Sequence, residues 1–84
     1  MYAIELVPSA ARELANLDQA MKRRVARRID QLAAEPRGAG SLKLRGAADV
    51  WRTRVGDYRI IYQIEDFRLV VLIIKIGHRR NVHR

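Results

Sequence analysis

The 84-residue chain has no cysteine, which excludes disulfides and thiolate metal sites and gives no pointer to secretion. Its longest apolar run, Leu69 to Ile74, falls far short of the roughly 20 residues needed to span a bilayer. Met1-Tyr2-Ala3-Ile4-Glu5 lacks the basic start and apolar stretch of a signal peptide, so the expectation is a soluble cytoplasmic protein without membrane contact. Aromatics are scarce, with one Trp, three Tyr and one Phe, so a bound polymer would be held by charge more than by stacking. Acids are scarce too, and none follows Asp66.

What is abundant is arginine. Seventeen Lys and Arg oppose nine Asp and Glu, giving a formal charge of +8, and all but Lys22, Lys43 and Lys75 of these cations are Arg. A guanidinium stays charged at any physiological pH and grips phosphate oxygens with two parallel N–H donors. Arg68, Lys75, Arg79, Arg80 and Arg84 succeed the last acid, so a polyanionic partner is expected, either a nucleic acid or an acidic protein. A chain this short is read as one domain, residues 1–84.

Tyr2 to Val7 alternates loosely and predicts a strand closed by Pro8. Ser9 is a plausible cap for a helix over Ala10 to Leu17, and Asp18 for a second one. Met21, Val25, Ile29 and Leu32 recur at helical spacing, so the second helix carries one apolar stripe and ends near Ala34. Glu35-Pro36-Arg37-Gly38-Ala39-Gly40 then breaks it. Beyond this loop the period falls to two. Val50 to Val55 and Tyr58 to Ile64 predict strands joined by a Gly56-Asp57 turn, and Leu69 to Ile76 a strand apolar on both faces, ended by Gly77. The expected fold is α+β, with two N-terminal helices on one face of a small, mostly antiparallel four-stranded sheet.

A two-residue turn fixes the hairpin's parity. Val55 pairs with Tyr58, Arg54 with Arg59 and Arg52 with Ile61. Trp51, Thr53, Val55, Tyr58, Ile60 and Tyr62 then face the helices, and Arg52, Arg54 and Arg59 face away. Like charges directly opposite one another are destabilising by roughly 0.2–1 kcal/mol. Three guanidiniums gathered on an open sheet face either stay hydrated or hold an anion.

The tail adds Arg79, Arg80 and His83 beside that face. Arginine is no general base at a useful pH, whereas histidine accepts and donates protons near neutrality. His83 is the candidate for proton transfer, and His78 a second that alternatively only caps the sheet. Lys22, Arg23, Arg24, Arg27 and Arg28 lie opposite the apolar stripe, as a solvated helix face or an RNA contact. No metal ligand set and no cofactor motif is expected.

Lys43-Leu44-Arg45-Gly46, then Trp51-Arg52-Thr53-Arg54-Val55-Gly56-Asp57-Tyr58-Arg59-Ile60-Ile61-Tyr62, then Gly77-His78-Arg79-Arg80 resemble the RelE/ParE superfamily of bacterial toxins, more closely its RelE branch. The resemblance covers nearly the whole chain. It implies a ribosome-dependent mRNA endonuclease that cuts the codon in the ribosomal A site by attack of a ribose 2′-OH on the adjacent phosphate. By position it implies that Arg52, Arg54, Arg59 and Arg79 hold the mRNA backbone and stabilise the phosphorane. The contacts to RNA and ribosome then fall to Lys22, Arg23, Arg27, Lys43, Arg45 and Arg80. The resemblance also implies a RelB-like antitoxin, with operator DNA bound only through the toxin–antitoxin complex. One departure stands out: RelE-like sequences commonly carry Tyr where this chain has His83, which leaves the base and acid open. A ParE-like gyrase inhibitor and a non-catalytic antitoxin-binding member are the alternatives.

Overall fold

The structure, a computed structural model, describes residues 1–78, so Arg79, Arg80 and His83 lie outside the described residues. Seven elements follow in order: β1 (Ala3–Leu6), α1 (Pro8–Ala15), α2 (Gln19–Ala34), β2 (Ser41–Lys43), β3 (Val50–Val55), β4 (Tyr58–Glu65) and β5 (Val70–His78). The sheet runs β1-β5-β4-β3-β2. It therefore has five strands rather than the four expected, because β2 is too short to show a period of two inside a Gly-rich loop. Three ladders are antiparallel, and β1 pairs with β5 in parallel.

Local chemistry explains the helices. Pro8 sits at the start of α1, where its fixed φ and missing N–H cost nothing. The cap position therefore falls on Val7 and not on Ser9, and α1 ends at Ala15, two residues short of the expected Leu17. Asp18 caps α2 as expected, its carboxylate accepting the Met21 N–H at 2.8 Å. The stripe Val25, Ile29 and Leu32 is buried and packs with Ala10 on Val55, Ile60, Tyr62, Ile64, Val71, Ile73 and Ile76. Met21 and Leu14 are half-buried at its margin.

One irregularity shapes the sheet. Ile61 pairs with Lys75 but Tyr62 pairs with Ile73, leaving Ile74 as an extra residue, a β-bulge. Ile73 and Ile76 thus both reach the core although three residues apart. Gly77 does not end the strand; it lies within β5, opposite Arg59.

Two polar clusters tie the loops down. Arg28 reaches inward from α2. Its Nε donates to Thr53 Oγ1 (2.9 Å) and its Nη2 to the Ala39 carbonyl (3.1 Å). The buried Tyr62 hydroxyl donates to the Pro36 carbonyl (2.7 Å) and shares a hydrogen bond with Ser41 Oγ (2.8 Å). At the far end Arg37 bridges Asp49 (3.0 Å) and Asp66 (2.9 Å), with Tyr2 also donating to Asp66. Arg37 lies over the Trp51 ring, whose Nε1–H donates to Asp49 at 3.1 Å.

Two outcomes follow. Leu32→Ala removes a side chain with no solvent exposure and should cost about 2–5 kcal/mol, read as a lowered urea midpoint. The hydrogen bonds from Arg37 and Tyr2 hold the Asp66 carboxyl below its ordinary range. A depressed folded-state pKa contributes stability above the unfolded value and loses it as pH falls through the folded one. The urea-midpoint gap between wild type and Asp66→Asn should therefore be widest near neutrality and close below about pH 4.

Candidate nucleic-acid interface

The β3–β4 register is the expected one: Val55↔Tyr58, Arg54↔Arg59, Arg52↔Ile61. The turn works because Gly56 takes φ +59° at its first position, the pattern of a type II′ hairpin turn. Burial follows the parity. Thr53, Ile60 and Tyr62 are at most 1 % exposed on the helix side. Arg54 is exposed on the opposite face, with Arg52 and Arg59 half-buried there. The structure thus brings Arg52, Arg54 and Arg59 together on the face without helices. Leu42, 56 % exposed, lies beside Arg52 on the same face.

Other expected residues are placed differently. Lys43 pairs with Trp51 and so projects to the helix side of the edge strand, away from the arginine face. Arg45 is exposed in the following loop. Arg23 and Arg27 are exposed on α2 and Lys22 is half-buried. Arg28, grouped with them by charge, is committed to Thr53 and the 39–41 loop and leaves that cluster. His78 pairs with Tyr58 and meets its ring edge-on at 5.6 Å, on the side opposite Arg59.

Sequence reasoning placed Arg24 only within the basic cluster of α2 and did not foresee its position at the hairpin turn. Its guanidinium lies against the hairpin turn, Nη2 3.2 Å from where a Gly56 Cβ would stand. It joins the α2 cations to the Arg54–Arg59 end of the hairpin. The signal available was indirect: a turn glycine with no side chain leaves room for a flat neighbour.

The ion pairs sharpen this pattern. Among the described residues they use Arg37, Arg68 and Lys75, with Asp49, Asp66, Glu5, Glu65 and Glu13. None includes Arg23, Arg24, Arg27, Arg52 or Arg54. Glu65, on the arginine side of β4, is paired with Arg68 (3.1 Å) six residues from Arg59, about 20 Å along the strand. Four of these five pairs lie at the β4–β5 turn end of the sheet and the fifth, Lys75–Glu13, on β5 toward the hairpin, while Arg23, Arg24, Arg27, Arg52 and Arg54 leave an excess of positive charge around the hairpin and α2. Such a field attracts and orients a polyanion.

Among the described residues no group of three or more His, Asp or Glu is arranged to hold a metal, and no helix is long and apolar enough to cross a membrane.

The family model of the ParE toxin of type II toxin–antitoxin systems matches residues 4–83. Toxin RelG of Mycobacterium tuberculosis is 29% identical over 84 residues, covering 99% of this chain and 97% of the relative. The mRNA interferase toxin RelE of Escherichia coli is 26% identical over 80 residues, covering 93% and 83%. The crystal structure of the intact E. coli RelBE toxin–antitoxin complex superposes with a TM-score of 0.84 at 25% identity, covering 100% of both chains. The chain belongs to the ParE toxin family of type II toxin–antitoxin systems and is a RelE-like toxin within it.

Proposed function

We propose that this toxin is a metal-independent endoribonuclease that cuts mRNA in the ribosomal A site and so stops translation. The observation that carries the reading is the clustering of arginines on the open sheet face, with Arg54 directly opposite Arg59 and Arg52 beside them. In the reaction the ribose 2′-oxygen loses its proton and bonds to the adjacent phosphorus. The bond from phosphorus to the 5′-oxygen breaks, and that oxygen takes up a proton, leaving a 2′,3′-cyclic phosphate. Charge on the phosphoryl oxygens rises toward the pentavalent state. Fixed cations aimed at that charge stabilise the transition state more than the ground state. Arg52, Arg54, Arg59 and Arg79 have this role.

None of those arginines moves a proton. His83 is assigned that task, and the ribosome supplies the remaining alignment, so the free protein is nearly inert. Lys22, Arg23, Arg27, Arg45 and Arg80 bind RNA phosphates, with Lys43 on the other side of the edge strand. A RelB-like antitoxin with an acidic amphipathic segment neutralises the toxin, and operator DNA is contacted only through that complex. The toxin acts in the cytoplasm as a single domain.

The match to a family named for ParE favours one other reading, inhibition of DNA gyrase. The test is primer extension on translating mRNA after induced expression of wild type, Arg59→Ala and His83→Ala, beside a purified supercoiling assay. Cleavage that requires ribosomes, is abolished by Arg59→Ala and is slowed by about 10²–10⁴-fold in His83→Ala is expected. Intact mRNA with blocked supercoiling would instead establish the gyrase reading. Full activity of His83→Ala would retire its catalytic role.

A further inference from the structure

β1 covers the outer edge of β5 only as far as Ile73: the last pairing is Leu6↔Ile73, and the Val7 N–H donates to the Ile73 carbonyl at 3.0 Å. The chain then leaves the sheet at Pro8 to form α1. Among the described residues, the last part of β5, Ile74 to His78, therefore runs on without a strand on that side. This is also the part that follows the bulge and ends against Tyr58 and Arg59. A strand end in that situation frays unless its outward groups find partners.

One side chain supplies them. The Glu13 carboxylate, from the second turn of α1, accepts the Ile76 backbone N–H at Oε1 (2.8 Å) and the Lys75 ammonium at Oε2 (2.8 Å). Both of its oxygens are thus used on consecutive residues of the open edge. The Glu13 side chain is 28% exposed. Burial pushes its carboxyl up, but the hydrogen bonds from Ile76 and Lys75 outweigh that and hold it below its ordinary value. It is therefore a carboxylate at neutral pH, the form with two acceptors for two donors.

What this edge supports is the arginine face. Gly77, the residue after Ile76, is the cross-strand neighbour of Arg59. The Arg59 position then depends on β5 keeping its register past the bulge. We propose that Glu13 is a positioning residue for the arginine face: its carboxylate clamps the uncovered edge of β5 and so holds Gly77 against Arg59. The role in cleavage rests on the endonuclease reading above; the clamp itself does not. Glu13 acts on the Ile76 amide through hydrogen bonding and on Lys75 through charge, and the two contributions separate by substitution. A glutamine retains an oxygen for the Ile76 N–H and loses the charge, whereas an alanine loses both.

The test uses the full chain with Glu13→Ala, Glu13→Gln and Lys75→Met. Amide hydrogen exchange at Ile76 should accelerate about tenfold or more in Glu13→Ala, and much less in Glu13→Gln and Lys75→Met. The single-turnover cleavage rate on translating mRNA should fall in Glu13→Ala and be rescued in Glu13→Gln. Unchanged Ile76 exchange in Glu13→Ala overturns the clamp. Faster exchange with wild-type cleavage shows an edge cap without a positioning role and overturns the proposal equally. If wild type itself leaves mRNA intact, the endonuclease reading fails. Affinity for a 2′-O-methylated RNA oligonucleotide, which cannot be cut, then decides positioning by the same comparison: weakened in Glu13→Ala and restored in Glu13→Gln, or unchanged and the proposal lost.

Discussion

The arrangement of the whole charged surface depends on one cross-strand pair, Arg54 opposite Arg59. Two guanidiniums at neighbouring positions repel, and nothing in hairpin chemistry favours them there. They are set opposite each other by register. Gly56, with its positive φ, permits a two-residue turn, and that turn leaves the strands one parity. The same parity sends Thr53, Val55, Ile60 and Tyr62 into the core. Sliding the register by one residue would bury arginines and expose that core, so burial on one face enforces repulsion on the other. The molecule tolerates a local electrostatic cost because the hydrophobic term on the reverse face is several times larger.

The acids reinforce this division instead of relieving it. Asp49 and Asp66 meet Arg37, and Glu5 and Glu65 meet Arg68, all at the β4–β5 turn end of the sheet. Arg23 and Arg27 of α2 and Arg54 of the β3–β4 hairpin are left exposed, with Arg24 lying across the turn between them. Exposed pairs of this kind contribute little stability each. Their larger effect is to withdraw negative charge from the face where a phosphate would approach. In a RelE-like toxin that separation suits both a nucleic-acid target and an acidic neutralising partner, and the two would compete for the same cations.

Some of this was legible in the sequence and some was not, for identifiable reasons. The hairpin could be read to the residue, because Gly56-Asp57 is a turn signal set between two runs of period two. The stripe Val25, Ile29 and Leu32 could be read because helical spacing and burial agree. β2 could not, since three residues show no period, and so the sheet was expected to have four strands. The bulge at Ile74 was hidden by its surroundings: where both neighbours are aliphatic, a skipped residue leaves no mark in the pattern. Charge misled at Arg28, which reads as solvated but is committed to Thr53, and at Lys43, whose strand parity turns it from the face its neighbours suggested. Glu13 carried no signal at all, since its partner is a backbone N–H more than sixty residues away.

The central claim is that the arginine face is kept for function against a stability cost. Arg54→Gln tests it most directly, because Arg54 is exposed and makes no ion pair with a described residue. Thermal melting and ribosome-dependent cleavage should be measured on the same preparation. The account predicts a midpoint equal to or a few degrees above wild type, matching relief of roughly 0.2–1 kcal/mol of repulsion, together with a marked loss of cleavage. A variant that melts lower than wild type while cutting mRNA at the wild-type rate would contradict it.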